Sequence, residues 1–381
     1  MEILVLFLIM LFIVVLQALI FKKLSFTKLH YHCGFSTDEA FEGDTIELVE
    51  TIYNQKWLTL PWFKSELTTS KWLDFAGSQS SVTYDTRFVP SFFLVKGHKK
   101  VVRRWKVNCT KRGVYGIRTV MLVSTDLLGR QTVSKPVEVD SNVMVLPRTF
   151  DLSQAFLRAR YLEGDFVVRS QILPDPFMVA GVREYLPSDP MKNIHWSATA
   201  RMNRIMIRNQ EYTTRQSLLL LLNMQSREFE KGRAIDADAL EDCIRTAASL
   251  LEGTLQGSIP VSFAVNTAPE EYGEECVFVP SNFGSEHVLQ LFRLLACLPA
   301  GSHMDFVEYI NRLEIPYDTT DVLLVTSYVN ERVFAFCRAK EREGIHVKVL
   351  LLRLDTTRLP DDCDIYYMKQ EVQANGEVKP Q

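Results

Sequence analysis

The sequence predicts a multidomain chain: one membrane-crossing helix, an antiparallel β-sandwich, then a doubly wound α/β domain. Three observations predict it. Ile3 to Phe21 is apolar except for Gln17. From about Ser36 to Leu146 the hydrophobic pattern has period two. From Ser217 onward, continuous apolar runs alternate with helical-period segments, the pattern of an open, largely parallel sheet with helices on both faces. A chain of 381 residues that is 47% hydrophobic is long and apolar enough for two or three cores. The expected boundaries are 1–23 for the transmembrane helix, 36–147 for the sandwich, 148–215 for a connector with a dense polar motif, 216–372 for the α/β domain and 373–381 for a loose polar tail.

Ile3 to Phe21 makes roughly 28 Å of helix at 1.5 Å per residue, just enough to span a bilayer core. A cleaved signal peptide fits less well, because Glu2 precedes the run without any Lys or Arg and no small-x-small site follows. Lys22, Lys23 and Lys28 come just after the span. By the positive-inside rule they place the C-terminal bulk in the cytoplasm and a short N-terminus outside. The expected localisation is therefore the cell membrane, single-pass.

In the sandwich, Ile46-Glu47-Leu48 starts a strand. Trp105, Val107 and Cys109 alternate with Arg104, Lys106 and Asn108. Trp57, Trp62, Trp72 and Trp105 supply large core or interface area. Gly113 and Gly129 read as turn residues that need positive φ. Pro147 marks the domain boundary.

The connector shows helical spacing from Leu152 to Leu162 and a loop at Leu173-Pro174-Asp175-Pro176. Next comes the stretch around which the chain is organised, Gly181 to Gln210. It reads as a strand from Val182 to Leu186, a turn at Pro187-Ser188-Asp189-Pro190, a helix capped by Asp189 with Met191, Ile194 and Ala198 on one face, then a strand over Ile205 to Arg208. Arg158, Arg160 and Arg169 begin a basic cluster that runs through Arg183, Lys192, Arg201, Arg204, Arg208 and Arg215. Two readings stay open: ordinary salt-bridged surface, or a docking face for an acidic partner or anionic membrane lipid.

In the α/β region, Leu218 to Leu222 reads as a strand buried on both faces. Asp236 and Asp238 open a helix whose inner face is Leu240, Ile244, Ala247, Leu251 and Leu255. Strands are expected at 259–265, 322–325 and 345–352, and helices at 286–298, 304–313 and 331–342.

Composition limits the chemistry. A net charge of −3 argues against a nucleic-acid partner. The seven cysteines are scattered and form no C-x-x-C pair, so they read as small core residues in a reducing compartment. His195 near Asp189 and Arg201 could serve as a base. However, Ser197 and Thr199 come with no oxyanion loop and no G-x-S-x-G elbow. A histidine in such a turn-helix holds the turn, and Trp196 packs one module on another. There is no P-loop, no G-x-G-x-x-G and no H-E-x-x-H.

Tyr185, Pro187, Asp189, Ile194, His195, Trp196, Ala200 and Arg201 together resemble the signature of the bacterial domain-of-unknown-function 58 family, roughly Y-x-P-G-D-x-x-R-x-I-H-W-x-x-S-A-R. Ser188, Lys192 and Thr199 stand where that pattern has Gly, Arg and Ser. Lys111-Arg112-Gly113-Val114-Tyr115 and Asp126-Leu127-Leu128-Gly129 resemble its R-G-x-Y and D-x-x-G segments. The resemblance implies a von Willebrand factor A-like α/β domain. Such domains bind Mg²⁺ through D-x-S-x-S at the loop after the first strand. Here Asn223, Gln225 and Arg227 occupy those places, so a metal-free polar loop is expected and no cofactor. The resemblance also implies a MoxR-type AAA+ ATPase partner and, as a second, a transglutaminase-like membrane protein. The expected function is a non-enzymatic, membrane-tethered scaffold or adaptor facing the cytoplasm. Its contact residues would be Tyr185, Pro187, Asp189, Lys192, Ile194, His195, Trp196, Arg201 and Arg204. An exported, envelope-binding module of opposite topology is the alternative, and an enzyme using His195 a third reading.

Overall fold

Alternation of period two does most of the work in the first half of the chain. In Thr45–Asn54 the side chains of Ile46, Leu48, Glu50, Ile52 and Asn54 are buried, and their neighbours are half-buried or exposed. The computed structural model of the chain describes residues 2–158, 182–185, 199, 201–202, 204–208, 217–230, 232–257, 259–273, 275–353 and 363–368. It divides into two compact units, Met1–Arg148 and Thr149–Gln381.

The first unit opens with helix α1 (Glu2–Leu24). Its Leu4–Leu24 stretch is long and apolar enough to cross a membrane. Strands β1 (Leu29–Phe35), β2 (Glu39–Phe41), β3 (Thr45–Asn54), β4 (Leu60–Ser70) and β5 (Leu73–Phe75) follow, then β6 (Ser81–Thr83), β7 (Thr86–Val95), β8 (Lys100–Cys109), β9 (Gly113–Thr125) and β10 (Thr132–Leu146). They form a four-stranded sheet, β1-β3-β8-β5, and a six-stranded sheet, β2-β10-β9-β4-β7-β6. Pairing is antiparallel except for β2 beside β10. Leu48, Ile52 and Val107 of one sheet share a core with Phe63, Leu67, Val89 and Ile117 of the other.

A carboxylate lies between the two sheets. Glu50 is fully buried. Its Oε1 accepts from the Tyr31 hydroxyl at 2.9 Å and the Ser65 hydroxyl at 2.6 Å. Its Oε2 accepts from the Ser91 hydroxyl at 2.9 Å and Trp105 Nε1 at 2.8 Å. Tyr31 and Trp105 belong to the same sheet as Glu50, whereas Ser65 and Ser91 belong to the facing one, so the carboxylate ties the sheets together. Burial and the Glu50 charge push the Tyr31 hydroxyl pKa up, and the same two causes push the Cys33 thiol up to about 12.

Two turns explain their sequence motifs. The Tyr115 hydroxyl donates to the carbonyls of Lys111 at 3.0 Å and Arg112 at 2.8 Å. Gly113, at φ 147°, passes under that ring, and a Cβ there would meet the hydroxyl at 2.9 Å. In the second turn Asp126 Oδ1 accepts from the backbone of Arg130 and Gln131 at 2.8 and 3.1 Å, and Gly129 takes φ 69°. Both glycines have the positive φ expected of them. The tryptophans divide: Trp72 and Trp105 pack on the core, whereas Trp57 and Trp62 are 69% and 65% exposed.

The end of α1 is fastened to this unit. Phe21 is buried in the core, and the Ser25 hydroxyl donates back to its carbonyl. Lys56 Nζ, from the β3–β4 loop, donates to the carbonyls of Ser25 at 2.6 Å and Thr27 at 3.1 Å. A cation on the carbonyls just past a helix C-terminus satisfies orphan acceptors and opposes the negative end of the dipole. Burial lowers the Lys56 pKa to about 8.

The second unit contains α2 (Leu152–Ala155), β11 (Phe156–Arg158), β12 (Val182–Glu184), β13 (Met206–Arg208), β14 (Ser217–Leu222), β15 (Gly232–Arg233) and α3 (Ala237–Gly257). After these come β16 (Val261–Val265), β17 (Val277–Asn282), α4 (Ser285–Cys297), β18 (Gly301–Ser302), α5 (Phe306–Arg312), β19 (Thr319–Thr326), α6 (Glu331–Arg342), β20 (His346–Leu351) and β21 (Asp364–Met368). Its main sheet is mixed, in the order β11-β21-β20-β19-β14-β16-β17. The strands from β21 to β16 run parallel, and β17 and β11 are antiparallel edges. Leu219 and Leu221 of β14 join a core with α5 and α6. Leu218, Leu220 and Leu222 alternate to the other face, and α3 packs on β14 and β19.

The expected helix over 152–162 is overturned in its described part. It stops after four residues because Phe156–Arg158 pairs with Tyr366–Met368 as an edge strand. Leu255, expected on the inner face of α3, is 40% exposed near the helix end, while Leu240, Ile244, Ala247 and Leu251 are buried. All seven cysteines are free thiols: Cys276 and Cys297 are half-buried and the rest buried.

Substituting Glu50→Gln keeps the shape but turns one acceptor oxygen into a donor that faces two donors. The expected loss is about 1–3 kcal/mol, the cost of leaving buried hydrogen-bonding groups unmatched. Denaturant unfolding followed by tryptophan fluorescence checks it, and a variant that unfolds with the parent would contradict it.

Candidate functional site

Sheet topology points to one place for a ligand. Numbering the strands from β14 as the first, the order of the main sheet reads 3-2-1-4-5-6 outward from β17, with the reversal between β14 and β19. In open α/β sheets, ligands bind beyond the carboxyl ends of the strands at this reversal. The residues there are Asn223 to Ser226 after β14, Asn266 after β16, and Thr326 to Tyr328 at the end of β19.

Their polar atoms are committed to one another. Asn223 Nδ2 donates across the crevice to Thr326 Oγ1 at 3.0 Å, and its Oδ1 accepts from the Gln225 backbone at 3.0 Å. Gln225 Oε1 accepts from the Phe306 backbone at 2.8 Å and the Tyr328 hydroxyl at 3.1 Å. Its Nε2 donates to the Glu230 carbonyl at 2.5 Å and more weakly to Asp305 Oδ2 at 3.5 Å. Asn266 Oδ1 accepts from the Met224 backbone at 2.8 Å. The Ser327 hydroxyl donates to the Gln225 carbonyl at 2.9 Å. Asn223, Gln225, Asn266 and Thr326 are all fully buried. Burial pushes the Tyr328 hydroxyl up to about 12.

Glu230 holds the loop that follows. One oxygen accepts the Ile235 N–H at 2.5 Å and the other the Ser226 N–H at 2.6 Å, with the Ser226 hydroxyl 2.8 Å from the latter oxygen. Burial alone would raise its pKa, but these donors outweigh burial and hold the carboxyl below its ordinary value. The loop presents Phe229, 69% exposed and at φ 58°, a conformation that costs a non-glycine residue. The Arg332 guanidinium sits 6.0 Å from its ring. Beside it lies an open cavity of about 510 Å³ lined by Phe229, Asp305, Glu308, Arg312 and Arg332.

This donor set does not fit a hard divalent cation. Such an ion needs charged oxygens with lone pairs to spare. Asn223 and Gln225 are neutral, and their amides already bridge protein groups. Arg227 is exposed. Asp305 Oδ1 caps α5, accepting from Val307 at 3.1 Å and Glu308 at 3.2 Å. Among the described residues no group of three or more His, Cys, Asp or Glu is placed to hold a metal. Neither Glu230 nor Asp305 stood out in the sequence. The signal available for Asp305 was an Asp directly before an apolar helical run.

The motif stretch is described in part. β12 and β13 pair antiparallel, Val182 opposite Arg208 and Glu184 opposite Met206. Tyr185 is half-buried and donates its N–H to the Ile205 carbonyl at 2.9 Å. The Thr199 hydroxyl accepts from the Met206 backbone at 3.0 Å, pinning the stretch before the second strand. Arg201 and Arg204 are exposed. Pro187, Asp189, Lys192, Ile194, His195 and Trp196 lie outside the described residues.

A group whose folded pKa lies below its unfolded value adds stability above the unfolded pKa. That stability is lost as pH falls through the folded value. Glu230→Gln should therefore cost about 1–3 kcal/mol at pH 7, and the gap from the parent should close as the medium becomes more acidic. Unfolding curves across the acid range check this, and a gap independent of pH would contradict it.

Comparison with known proteins matches residues 181–379 to the family model described as a protein of unknown function, DUF58. The uncharacterized protein YeaD of Bacillus subtilis (strain 168) is 24% identical over 258 residues, covering 68% of this chain and 51% of that protein. The chain thus spans about half the length of this curated relative. Among solved structures, a non-cellulosomal cohesin from the hyperthermophilic archaeon Archaeoglobus fulgidus is 16% identical, over 32% of this chain and 92% of that one, with a TM-score of 0.23. Domains D2 and D3 of the major pilin SpaD from Corynebacterium diphtheriae are 12% identical, over 29% of this chain and 50% of that one, also at 0.23. TM-scores this low assign no fold. The family match covers more than half of the chain and contains both the motif stretch and the closed crevice, and the protein belongs to the DUF58 family.

Proposed function

We propose that this protein is a non-enzymatic adaptor tethered to the membrane by α1. Its second unit is a von Willebrand factor A-like domain in which internal hydrogen bonds have replaced a metal. The observation that carries the reading is the Asn223–Thr326 bridge at the topological switch. Where such a domain would open toward Mg²⁺, amides and hydroxyls close on one another. The sheet order, with its antiparallel edge at β17, supports the same assignment.

Lys22 and Lys23 in the last turn of α1 support a cytoplasmic orientation. A MoxR-type AAA+ ATPase, and secondarily a transglutaminase-like membrane protein, are the partners that family resemblance suggests. The docking face would be the basic motif stretch, with Lys192, Arg201 and Arg204 meeting acidic groups and His195 and Trp196 holding the module together.

Two experiments test this. A C-terminal reporter fusion should be active in the cytoplasm. Activity only on the far side of the membrane would favour an exported, envelope-binding module. In pull-downs with the ATPase, Lys192→Glu and Arg204→Glu should weaken association about tenfold or more, with marked salt dependence and intact folding. Asp189→Ala should instead cost about 0.5–2 kcal/mol and Trp196→Ala about 3–5 kcal/mol of stability. If Trp196→Ala melts like the parent but abolishes a measurable turnover, the adaptor reading is wrong.

A further inference from the structure

The strand register gathers one set of turns at the end of the first unit where α1 enters. Leu29 lies opposite Asn54, Leu60 opposite Val95, Tyr53 opposite Lys100, and Trp62 opposite Thr125. The β3–β4, β7–β8 and β9–β10 turns therefore emerge together, beside the C-terminal end of α1. The turn carrying Tyr84 is at the opposite end, since Ser70 pairs with Thr86.

That end has an unusual composition. Trp57, Trp62, Leu127 and Leu128 are 69%, 65%, 72% and 54% exposed. Lys22, Lys23 and Lys28 are exposed on the helix side, and Lys96, Lys99, Lys100 and Arg130 on the strand turns. The segments 22–29, 54–60, 95–100 and 125–132 contain one acid, Asp126. It is 1% exposed, with its carboxylate accepting from the backbone of its own turn. The charge offered outward from these segments is therefore positive, interleaved with large apolar side chains.

Depth follows from the helix. Ile13, Leu16 and Ile20 of α1 line a groove of about 320 Å³ together with Trp57, Pro61 and Leu127. At 1.5 Å per residue, Ile20 and Leu16 lie about 3 and 9 Å along the axis from Lys22. If α1 crosses the bilayer with Lys22 and Lys23 among the headgroups, these two residues lie at the interface and in the upper acyl region. The turns carrying Trp57 and Leu127 share the groove with them and reach that level. Lys56 and Phe21 fix the helix end to the strands, so the turns cannot swing away independently.

We propose that this end of the β-rich unit is a second membrane-binding surface. Trp57, Trp62, Leu127 and Leu128 enter the interfacial and upper acyl region, while Lys96, Lys99, Lys100 and Arg130 pair with anionic phospholipid headgroups. The proposal rests on α1 being a membrane span. Aromatic rings with one polar edge favour the interface, and basic side chains around them favour acidic lipid, so both halves of the composition point to one occupant.

The test uses the full-length protein in phosphatidylcholine vesicles, with and without a quarter of phosphatidylglycerol, the acyl chains brominated near the headgroup. Tryptophan emission of the parent should be quenched at least twofold more than that of Trp57→Phe/Trp62→Phe, whose melting should match the parent. Quenching should be stronger in the anionic vesicles, and Lys99→Glu/Lys100→Glu/Arg130→Glu should abolish that difference. Flotation after alkaline carbonate washing separates the two levels of the argument. Protein that fails to float overturns the α1 tether and this surface with it. Protein that floats, but whose quenching is the same in parent and Trp57→Phe/Trp62→Phe, overturns this surface alone. That result is also the one expected if a protein helix, rather than lipid, fills the groove.

Discussion

A carboxylate cannot leave water unless donors replace the water, and Glu50 is where this constraint organises the first unit. Its oxygens take four hydrogen bonds, two from each sheet. An apolar core would tolerate small slips of one sheet over the other. A carboxylate with four directed partners does not, because a slip of one residue would carry Ser65 and Ser91 about 3.3 Å along, out of hydrogen-bond reach. The same rule applies at Lys56, which is buried only because the carbonyls past α1 need a donor. It applies again at the carboxyl ends of the parallel strands, where Asn223, Gln225 and Asn266 satisfy one another and the surrounding backbone.

These networks differ in how far they could be read from the chain. Glu50 is legible by parity: in Ile46-Glu47-Leu48-Val49-Glu50-Thr51-Ile52 it falls on the same face as the isoleucines and leucine. Reading each strand for apolar residues alone passes over it. Lys56 is not legible, since its acceptors lie 29 and 31 residues earlier and nothing local marks the contact. In the second unit four of the five parallel strands stood out because burial on both faces requires continuous apolar runs, whereas Asp364–Met368, with an acid and two tyrosines in five residues, did not. The edges did not. Val277–Asn282 carries Pro280, tolerable only on an edge. Phe156–Arg158 continues a helical pattern, and only its pairing with β21 makes it a strand. The crevice residues were visible as Asn223, Gln225 and Arg227. That the Asn223 and Gln225 amides would close the crevice depended on Thr326, Tyr328 and Phe306, 81 to 103 residues away.

The two turn motifs of the first unit show why short signatures can be structural. Gly113 leaves room for the Tyr115 ring, whose hydroxyl holds the Lys111 and Arg112 carbonyls, and Gly129 closes the turn held by the backbone bonds around Asp126. Neither needs a ligand to account for its residues. Asp126 nevertheless has a second consequence. By turning its charge inward, it leaves Arg130 and the exposed Leu127 and Leu128 to define the outward surface of that turn.

Position along the chain then ties fold to function. The helix end, the Lys56 contacts and the basic, apolar turns all occur within the first unit, so its orientation at a membrane would be set before the second unit contributes anything. A flexible tether would let the unit tumble and would give Trp57 no fixed depth. The cation on the Ser25 and Thr27 carbonyls ties the helix end to the β3–β4 loop instead, so that, if α1 crosses a membrane, one helix would set both attachment and tilt. Burial lowers the Lys56 pKa because desolvation disfavours the ammonium, and the Ser25 and Thr27 carbonyls accept its hydrogen bonds. If the protein is the adaptor proposed above, a fastened helix end would help it present one face to a partner. On this argument the buried lysine serves orientation as well as stability.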